Sequence, residues 1–301
     1  MLPPLTDILS TLRVVSIPMR QRFRGIDSRE VALFEGPAGW TEFSPFLEYD
    51  HHESSSWLAA AIDFGWQQNP ALFRSSVRVN ATLPVVSPDR VAAVLDQFAG
   101  CRTVKIKVAE PGQELADDIA RVTAARDYLG PEGRIRVDAN GLWNVDEAEH
   151  AIHALASLDL EYVEQPCASV EELAEIRKRV KYMGVPIAAD ESVRKADDPL
   201  AVARSSAADL LVIKAQPLGG VRRALSVIEQ AGLPVVVSSA LETSVGISMG
   251  AYLAASVADL PYDCGLATVS LLESDITADP LVAVDGAIGL RRVTPDDDLL
   301  D

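Results

Sequence analysis

The chain has 301 residues, 48% hydrophobic but only 6% aromatic, which is length for a real core and an Ala/Val/Leu-rich balance suited to an α/β protein. A formal net charge of −17, with neither half of the chain basic, argues against binding nucleic acid or adhering to an anionic membrane, and no apolar run is long enough to span a bilayer. Cys101, Cys167 and Cys264 are an odd, widely spaced set without a CxxC pair, which argues against disulfides or structural zinc and for a reducing cytoplasm.

The first segment, "MLPPLTDILS", has neither a basic stretch nor an uninterrupted apolar one, so no signal peptide is expected. "RVVSIPMRQRF" and "REVALFEGPAGWTEFSP" read as antiparallel strands around Pro/Gly-rich turns, and "SSSWLAAAIDFGWQQ" as a helix. Residues 1–76 are therefore expected to form a small α+β capping domain.

From residue 77 the sequence repeats strand, loop and helix at roughly 24 to 31 residues, the size of a βα unit. The expected strands are "VRVNATL" (77–83), "TVKIKV" (103–108), "IRVDAN" (135–140), "EYVEQP" (161–166), "PIAADES" (186–192), "LLVIKA" (210–215), "PVVVSSAL" (234–241) and "GLATVSL" (265–271). The helices between them have readable ends. Ser87 with Pro88 opens one that Gly100 closes, Asn144/Glu147 and Ser169/Glu172 have capping-box spacing, and Gly130 and Gly232 sit where C-terminal glycines belong.

Eight near-continuous apolar strands alternating with helices favour a closed parallel barrel over residues 77–271. An open doubly wound sheet is the rival, but no GxGxxG or GxxxxGK[ST] follows a strand. Residues 272–301 are too few for another unit and are expected to return to the cap, ending in a frayed acidic tail, "TPDDDLLD".

Barrel chemistry sits at the C-terminal ends of strands. Here those ends carry Lys107, Asp138, Glu164, Asp190 with Glu191, Lys214, and Ser238 with Ser239. Asp138, Glu164 and Asp190, from adjacent strands, form an all-oxygen set suited to Mg²⁺ or Mn²⁺. The second and sixth strands lie opposite one another in a ring of eight, so Lys107 and Lys214 would face each other across a substrate held there. Period-two alternation in "TVKIKV" puts Lys105 on the same face as Lys107, one pleat below, placed to lower its pKa and hold its orientation. The bland reading makes each lysine a core cation paired with one of these carboxylates.

The run KxK (Lys105, Lys107), "VDAN", "VEQP", "ADES" and "VIKAQPLGG" resembles the muconate-lactonizing-enzyme subgroup of the enolase superfamily. That resemblance implies a modified TIM barrel, (β/α)7β, with the α+β cap completed by the C-terminal segment. It also implies that Asp138, Glu164 and Asp190 hold Mg²⁺ and that Lys107 and Lys214 are the acid/base pair. "SSALETSVG" (238–246) and "CGLATVSLLESD" (264–275) are similar to o-succinylbenzoate synthases of the menaquinone pathway, the short actinobacterial type. These enzymes dehydrate 2-succinyl-6-hydroxy-2,4-cyclohexadiene-1-carboxylate, a small-molecule carboxylate.

An N-acylamino acid racemase or dipeptide epimerase is the alternative with the same site. The eighth strand, "GLATVS", lacks the acidic pair that would hold a substrate ammonium. A silent barrel kept as a binding subunit would have lost a metal or base residue, and none is missing. Asn140, Ser238 and Ser239 are the candidates for substrate binding, with a loop or turn role as the plain reading of each. Arg22 or Arg24, in a short loop, would meet the substrate's second carboxylate or an acid on the rim; Glu191 and Lys195 stand behind the site. His51, His52, His150 and His153 are too scattered to form one. Oligomeric state stays open, a monomer included.

Overall fold

The structure, a computed structural model, describes residues 2–195 and 198–300. A short helix, α1 (Leu5–Thr11), leads into a three-stranded antiparallel sheet of β1 (Arg13–Phe23), β2 (Ile26–Gly36) and β3 (Gly39–Phe43). Phe23 pairs with Ile26, so β1 and β2 are joined by Arg24 and Gly25 alone, both at positive φ (52° and 78°) as a tight hairpin turn requires. Helix α2 (His51–Trp66) packs on this sheet and starts three residues earlier than the sequence pattern indicates. The reason is Asp50, whose side chain accepts from the Glu53 amide at 2.8 Å and caps the helix there.

After β4 (Ser76–Arg78) come the barrel strands and their helices. They are β5 (Ala81–Leu83), α3 (Val91–Leu95), β6 (Thr103–Lys107), α4 (Leu115–Leu129), β7 (Arg134–Asp138), α5 (Val145–Leu155) and β8 (Leu160–Glu164). There follow α6 (Val170–Val180), β9 (Ile187–Ala189), α7 (Glu191–Arg194), α8 (Ala201–Arg204), β10 (Leu210–Lys214), α9 (Val221–Ala231), β11 (Val235–Ser238) and α10 (Ser244–Ser256). Strands β5 to β11 form one parallel sheet in sequence order. Both predicted capping boxes are present, Asn144 with Glu147 and Ser169 with Glu172, and Gly130 and Gly232 close α4 and α9.

Three expectations are corrected. The segment 77–83 is not one strand: β4 pairs antiparallel with a late strand, β12 (Ala287–Gly289), and only β5 enters the barrel. Asn80 makes the break, donating its side-chain amide to Ala81 O at 2.8 Å and accepting from buried Arg136 at 2.9 Å. The eighth strand is reduced to two bridging residues. Cys264 pairs with Val79 and Gly265 with Ser238, both parallel, so the ring closes there before the chain turns into a 3-10 helix at Thr268–Leu271. Finally, the acidic tail is not frayed up to Leu300, which is only 6% exposed within the core, while Asp296 N donates to Ile276 O at 2.9 Å. An apolar anchor outweighs the tail's charge.

The C-terminal segment does return to the cap. Leu272 bridges Met19, Glu273 N donates to Pro18 O at 2.9 Å, and Arg292 reaches Phe64 O at 2.8 Å. Inside the ring, Tyr162, Ala188, Leu210, Val212 and Val236 fill the side of β8 to β11 with an apolar cluster. The side of β6 and β7 is filled by charge, with Lys105 and Arg136 both buried.

Candidate active site

Register builds the site. Lys107 pairs with Asp138 and Asp138 with Glu164 straight across β6, β7 and β8, while Lys214 pairs with Ser238 across β10 and β11. Asp190 follows directly on the last residue of β9. Because parallel ladders align these ends, one rim receives all six side chains. Asp138, Glu164 and Asp190 are wholly buried.

Each lysine has a carboxylate. Lys107 Nζ donates to Asp138 at 2.6 Å and to Asn140 Oδ1 at 2.7 Å, and Lys214 Nζ donates to Asp190 at 2.5 Å. Lys105 Nζ sits between Glu164 at 2.8 Å and Asp138 at 3.1 Å. Burial alone would lower the pKa of Lys105, but Glu164 and Asp138 outweigh it and hold the pKa well above the usual lysine value. Lys105 is thus a fixed positive charge beneath the site. Lys214 is shifted the other way, downward, because burial together with Arg194 and Lys105 outweighs the attraction of Asp190.

The carboxylates differ in the same way. Burial would raise Asp138, yet Lys107 and Lys105 hold it far below the ordinary carboxylate range. Asp190 is brought down to about 2, against its burial, by Arg194 and Lys214. Glu164 is pushed up to about 7 by burial and by neighbouring Asp138. Its Oε2 is buried and unpaired among the described residues, so this carboxylate is short of positive charge. The Lys105 ammonium lies between two of the three carboxylates, Asp138 and Glu164.

Sequence reasoning missed several members. Arg194 is buried against the site, with Nε 3.0 Å from Asp190, Nη2 2.6 Å from Glu191 and Nη1 3.1 Å from the hydroxyl of Tyr49 in the cap. Gln165, in "VEQP", adopts φ 38° so that its side-chain oxygen accepts from the amides of Asp190 (3.0 Å) and Ser192 (3.2 Å). A glutamine from the turn after the adjacent strand thereby fixes the turn that presents Asp190. The KxK and carboxylate motifs carry their own signal, whereas these contacts depend on how neighbouring turns meet.

Cap and barrel flank a narrow cavity of about 50 Å³ over the lysines, walled by Phe23, Arg24 and Phe46 from the cap and by Ser238, Leu241 and Thr268 from the barrel. Its mixed apolar and polar lining suits a small molecule. Asn140, at φ 48°, accepts from Lys107 and donates to Glu191 at 3.2 Å, so it ties the lysine to the rim. Ser238 and Ser239 line the cavity, and Ser239 exchanges a 2.8 Å hydrogen bond with Thr268. Arg24 is held by Glu48 at 3.0 Å and by Tyr49 at 2.8 Å while stacking on Phe46 at 3.8 Å. The short loop is therefore tied down over the pocket by its own cap. Lys195 turns to Glu53 and the Tyr49 ring, and His153 meets Tyr182, both outside the cavity.

Opposed ammonium groups around buried carboxylates suit removal of a proton next to a carboxylate. Comparison with known proteins agrees with this chemistry. Residues 89–295 match the family described as enolase C-terminal domain-like, and residues 14–65 the enolase N-terminal domain-like family. A curated o-succinylbenzoate synthase of Thermobifida fusca is 56% identical over 94% of this chain and 88% of its own length. Among solved structures, a muconate lactonizing enzyme of Pseudomonas fluorescens complexed with muconolactone shares the fold with a TM-score of 0.82 at 19% identity, covering 96% of both chains. A dipeptide epimerase of Enterococcus faecalis, solved with Mg and the dipeptide L-Leu-L-Tyr, matches with a TM-score of 0.78 at 25% identity over 94% of this chain and 97% of that one. On both domains and nearly the full length, the chain belongs to the enolase superfamily and, within it, to the o-succinylbenzoate synthase family.

Proposed function

We propose that the chain performs the o-succinylbenzoate synthase reaction, the syn-dehydration of 2-succinyl-6-hydroxy-2,4-cyclohexadiene-1-carboxylate to the aromatic product in menaquinone biosynthesis. The observation that carries the reading is the pair Lys107 and Lys214 at opposite ends of three buried carboxylates, both opening onto one cavity. In this reading residues 1–76 shape the pocket, residues 77–271 carry the chemistry and residues 272–301 tie the two together.

Asp138, Glu164 and Asp190 are proposed to hold Mg²⁺, with Mn²⁺ as the substitute. An all-oxygen set and a buried Glu164 oxygen without a partner both fit a hard divalent cation. When bound there, the cation supplies the charge that makes the proton next to the substrate carboxylate acidic enough for a lysine. Lys107 takes that proton on one face of the ring. Its conjugate acid then gives a proton to the departing hydroxyl on the same face, so proton and hydroxide leave as water and the ring becomes aromatic. Lys214, lying over the other face, stabilises the developing enediolate by charge and cation–π attraction. Asn140 orients Lys107, to which it is hydrogen bonded at 2.7 Å. Ser238 and Ser239 bind the succinyl end by hydroxyl donation.

A cytoplasmic location is part of the proposal, supported by three free cysteines, Cys101, Cys167 and Cys264. No described helix is long and apolar enough to cross a membrane. The test is loss of the cyclohexadiene absorbance when protein and Mg²⁺ meet the substrate. Loss that EDTA and Lys107→Ala both abolish supports the assignment. Persistence of the absorbance with divalent cation bound would overturn it.

A further inference from the structure

Arg29 lies on β2, in the cap, and is 1% exposed. A buried guanidinium is costly unless its donors are satisfied, and here they go to main-chain carbonyls on both sides of the domain seam. On the cap side it donates to Glu30 O at 3.2 Å, Pro45 O at 3.5 Å and Ser44 O. On the barrel side it donates to Leu241 O at 3.1 Å and Ala240 O at 3.5 Å. Its plane stacks 4.4 Å from the centroid of Phe46. Phe46 and Leu241 both line the cavity, one from each domain, and Arg29 itself does not line it.

The barrel wall needs holding. Leu241 has φ 63°, a left-handed conformation that branched apolar residues avoid, so the turn persists only because its surroundings fix it. This turn lies just beyond Ser238, which pairs with Lys214, so it forms the pocket above the reacting end. A planar fork that grips Ser44 and Leu241 together while stacking on Phe46 sets the distance between the two walls.

We propose that Arg29 is a positioning residue that determines specificity: it fixes the gap between Phe46 and the Ala240–Leu241 turn and thereby selects ligands carrying a succinyl-sized tail. The identity of the tail rests on the dehydratase reading above. The plain alternative is that Arg29 only glues cap to barrel. These differ in what a conservative change does: loss of glue weakens every ligand, whereas loss of the gap weakens only the tailed ones.

The experiment compares Arg29→Lys with the wild type by calorimetry in Mg²⁺ buffer, using o-succinylbenzoate as the tailed probe and benzoate as the tail-less one, alongside steady-state dehydration. Lysine keeps the charge but cannot form the fork. Affinity for o-succinylbenzoate is expected to fall about tenfold with benzoate binding within about twofold, and KM to rise more than kcat falls, as for lost ground-state contacts. Arg29→Gln keeps a planar amide donor without the full fork and, like Arg29→Lys, touches no residue that lines the cavity; it is expected to give the same selective loss and provides the reading should Arg29→Lys not fold. Equal weakening of both probes, or of neither, in folded protein overturns the inference while leaving the dehydratase standing. A wild type that binds both probes without dehydrating the substrate overturns the reaction and leaves the role of Arg29 to be decided by the same pair of affinities. A wild type that binds neither probe overturns both.

Discussion

Lys105 donates to Glu164 at 2.8 Å from directly beneath the site, and among the described residues it is the only hydrogen-bond partner of that carboxylate, whose second oxygen is buried and unpaired. Removing one member of such a pair leaves a buried charge uncompensated. Lys105→Met is therefore expected to lower unfolding free energy in EDTA by about 3–5 kcal/mol. Mg²⁺ should recover more of the loss in the variant than it adds to the wild type, because the ion supplies the missing charge. Urea unfolding with and without Mg²⁺ checks this, and an undiminished midpoint in EDTA would contradict it.

The two remaining lysines should fail differently. Lys107→Ala removes the proposed base and is expected to cost roughly 10²–10⁴ in kcat. Lys214→Arg keeps a positive charge without a readily transferable proton, so it should retain measurable dehydration while abolishing any racemisation of N-acylamino acids, which needs both lysines to exchange protons. Steady-state rates and loss of the α-deuterium label separate the two. Complete loss of dehydration in Lys214→Arg would remove the electrostatic role from that residue.

Glu42, in the cap, accepts from the amides of Thr243 (3.1 Å) and Gly246 (3.0 Å) at the start of α10 and from the hydroxyls of Ser44 and Thr243, both at 2.6 Å. Its pKa is pushed up from 4.5 to about 7 by burial and by Glu242, against the pull of those hydroxyls and Arg29. A raised folded pKa means that the folded state holds the proton more tightly. Its contribution to stability is complete below pH 4.5, declines as pH rises towards about 7, and is level above that. Glu42→Gln should flatten the Tm profile across this window and melt no lower than the wild type at alkaline pH. Parallel Tm profiles for the two proteins would show that Glu42 does not titrate there.

Gly265 leaves no room for a side chain: a Cβ there would lie 2.4 Å from Ser238 Oγ. The obstructing atom is a hydroxyl that can rotate, so Gly265→Ala should fold and displace Ser238 from the pocket. KM for the succinyl substrate is expected to rise by about tenfold, the scale of one lost hydrogen bond to a charged group. An unchanged KM would argue that Ser238 does not touch the substrate.

What could be read from the sequence was local in origin. Lys105 and Lys107 betray their shared face because strands alternate, and Asn144 with Glu147 marks a helix start because a capping box spans four residues. Asp138, Glu164 and Asp190 are visible because each ends an apolar run. The eighth strand was over-read because an apolar stretch signals burial, which residues 265–271 have, without specifying a ladder, which they lack beyond one bridge. Arg29 and Arg194 are out of reach for another reason. Their partners, Leu241 and Tyr49, are set by how two domains dock, and no periodicity encodes that.

The closure of the ring at Cys264 and Gly265 divides the molecule into two kinds of wall. Strands β6 to β10, away from that seam, carry the ion pairs and hold them by parallel ladders of two to five residue pairs. The seam side, with Ser238, Gly265 and Thr268, is held by single bridges and hydroxyl contacts. Drift along the seam can recut the mould that a substrate fills while the anvil opposite stays as it is, so that a change of guest need not bring a change of chemistry.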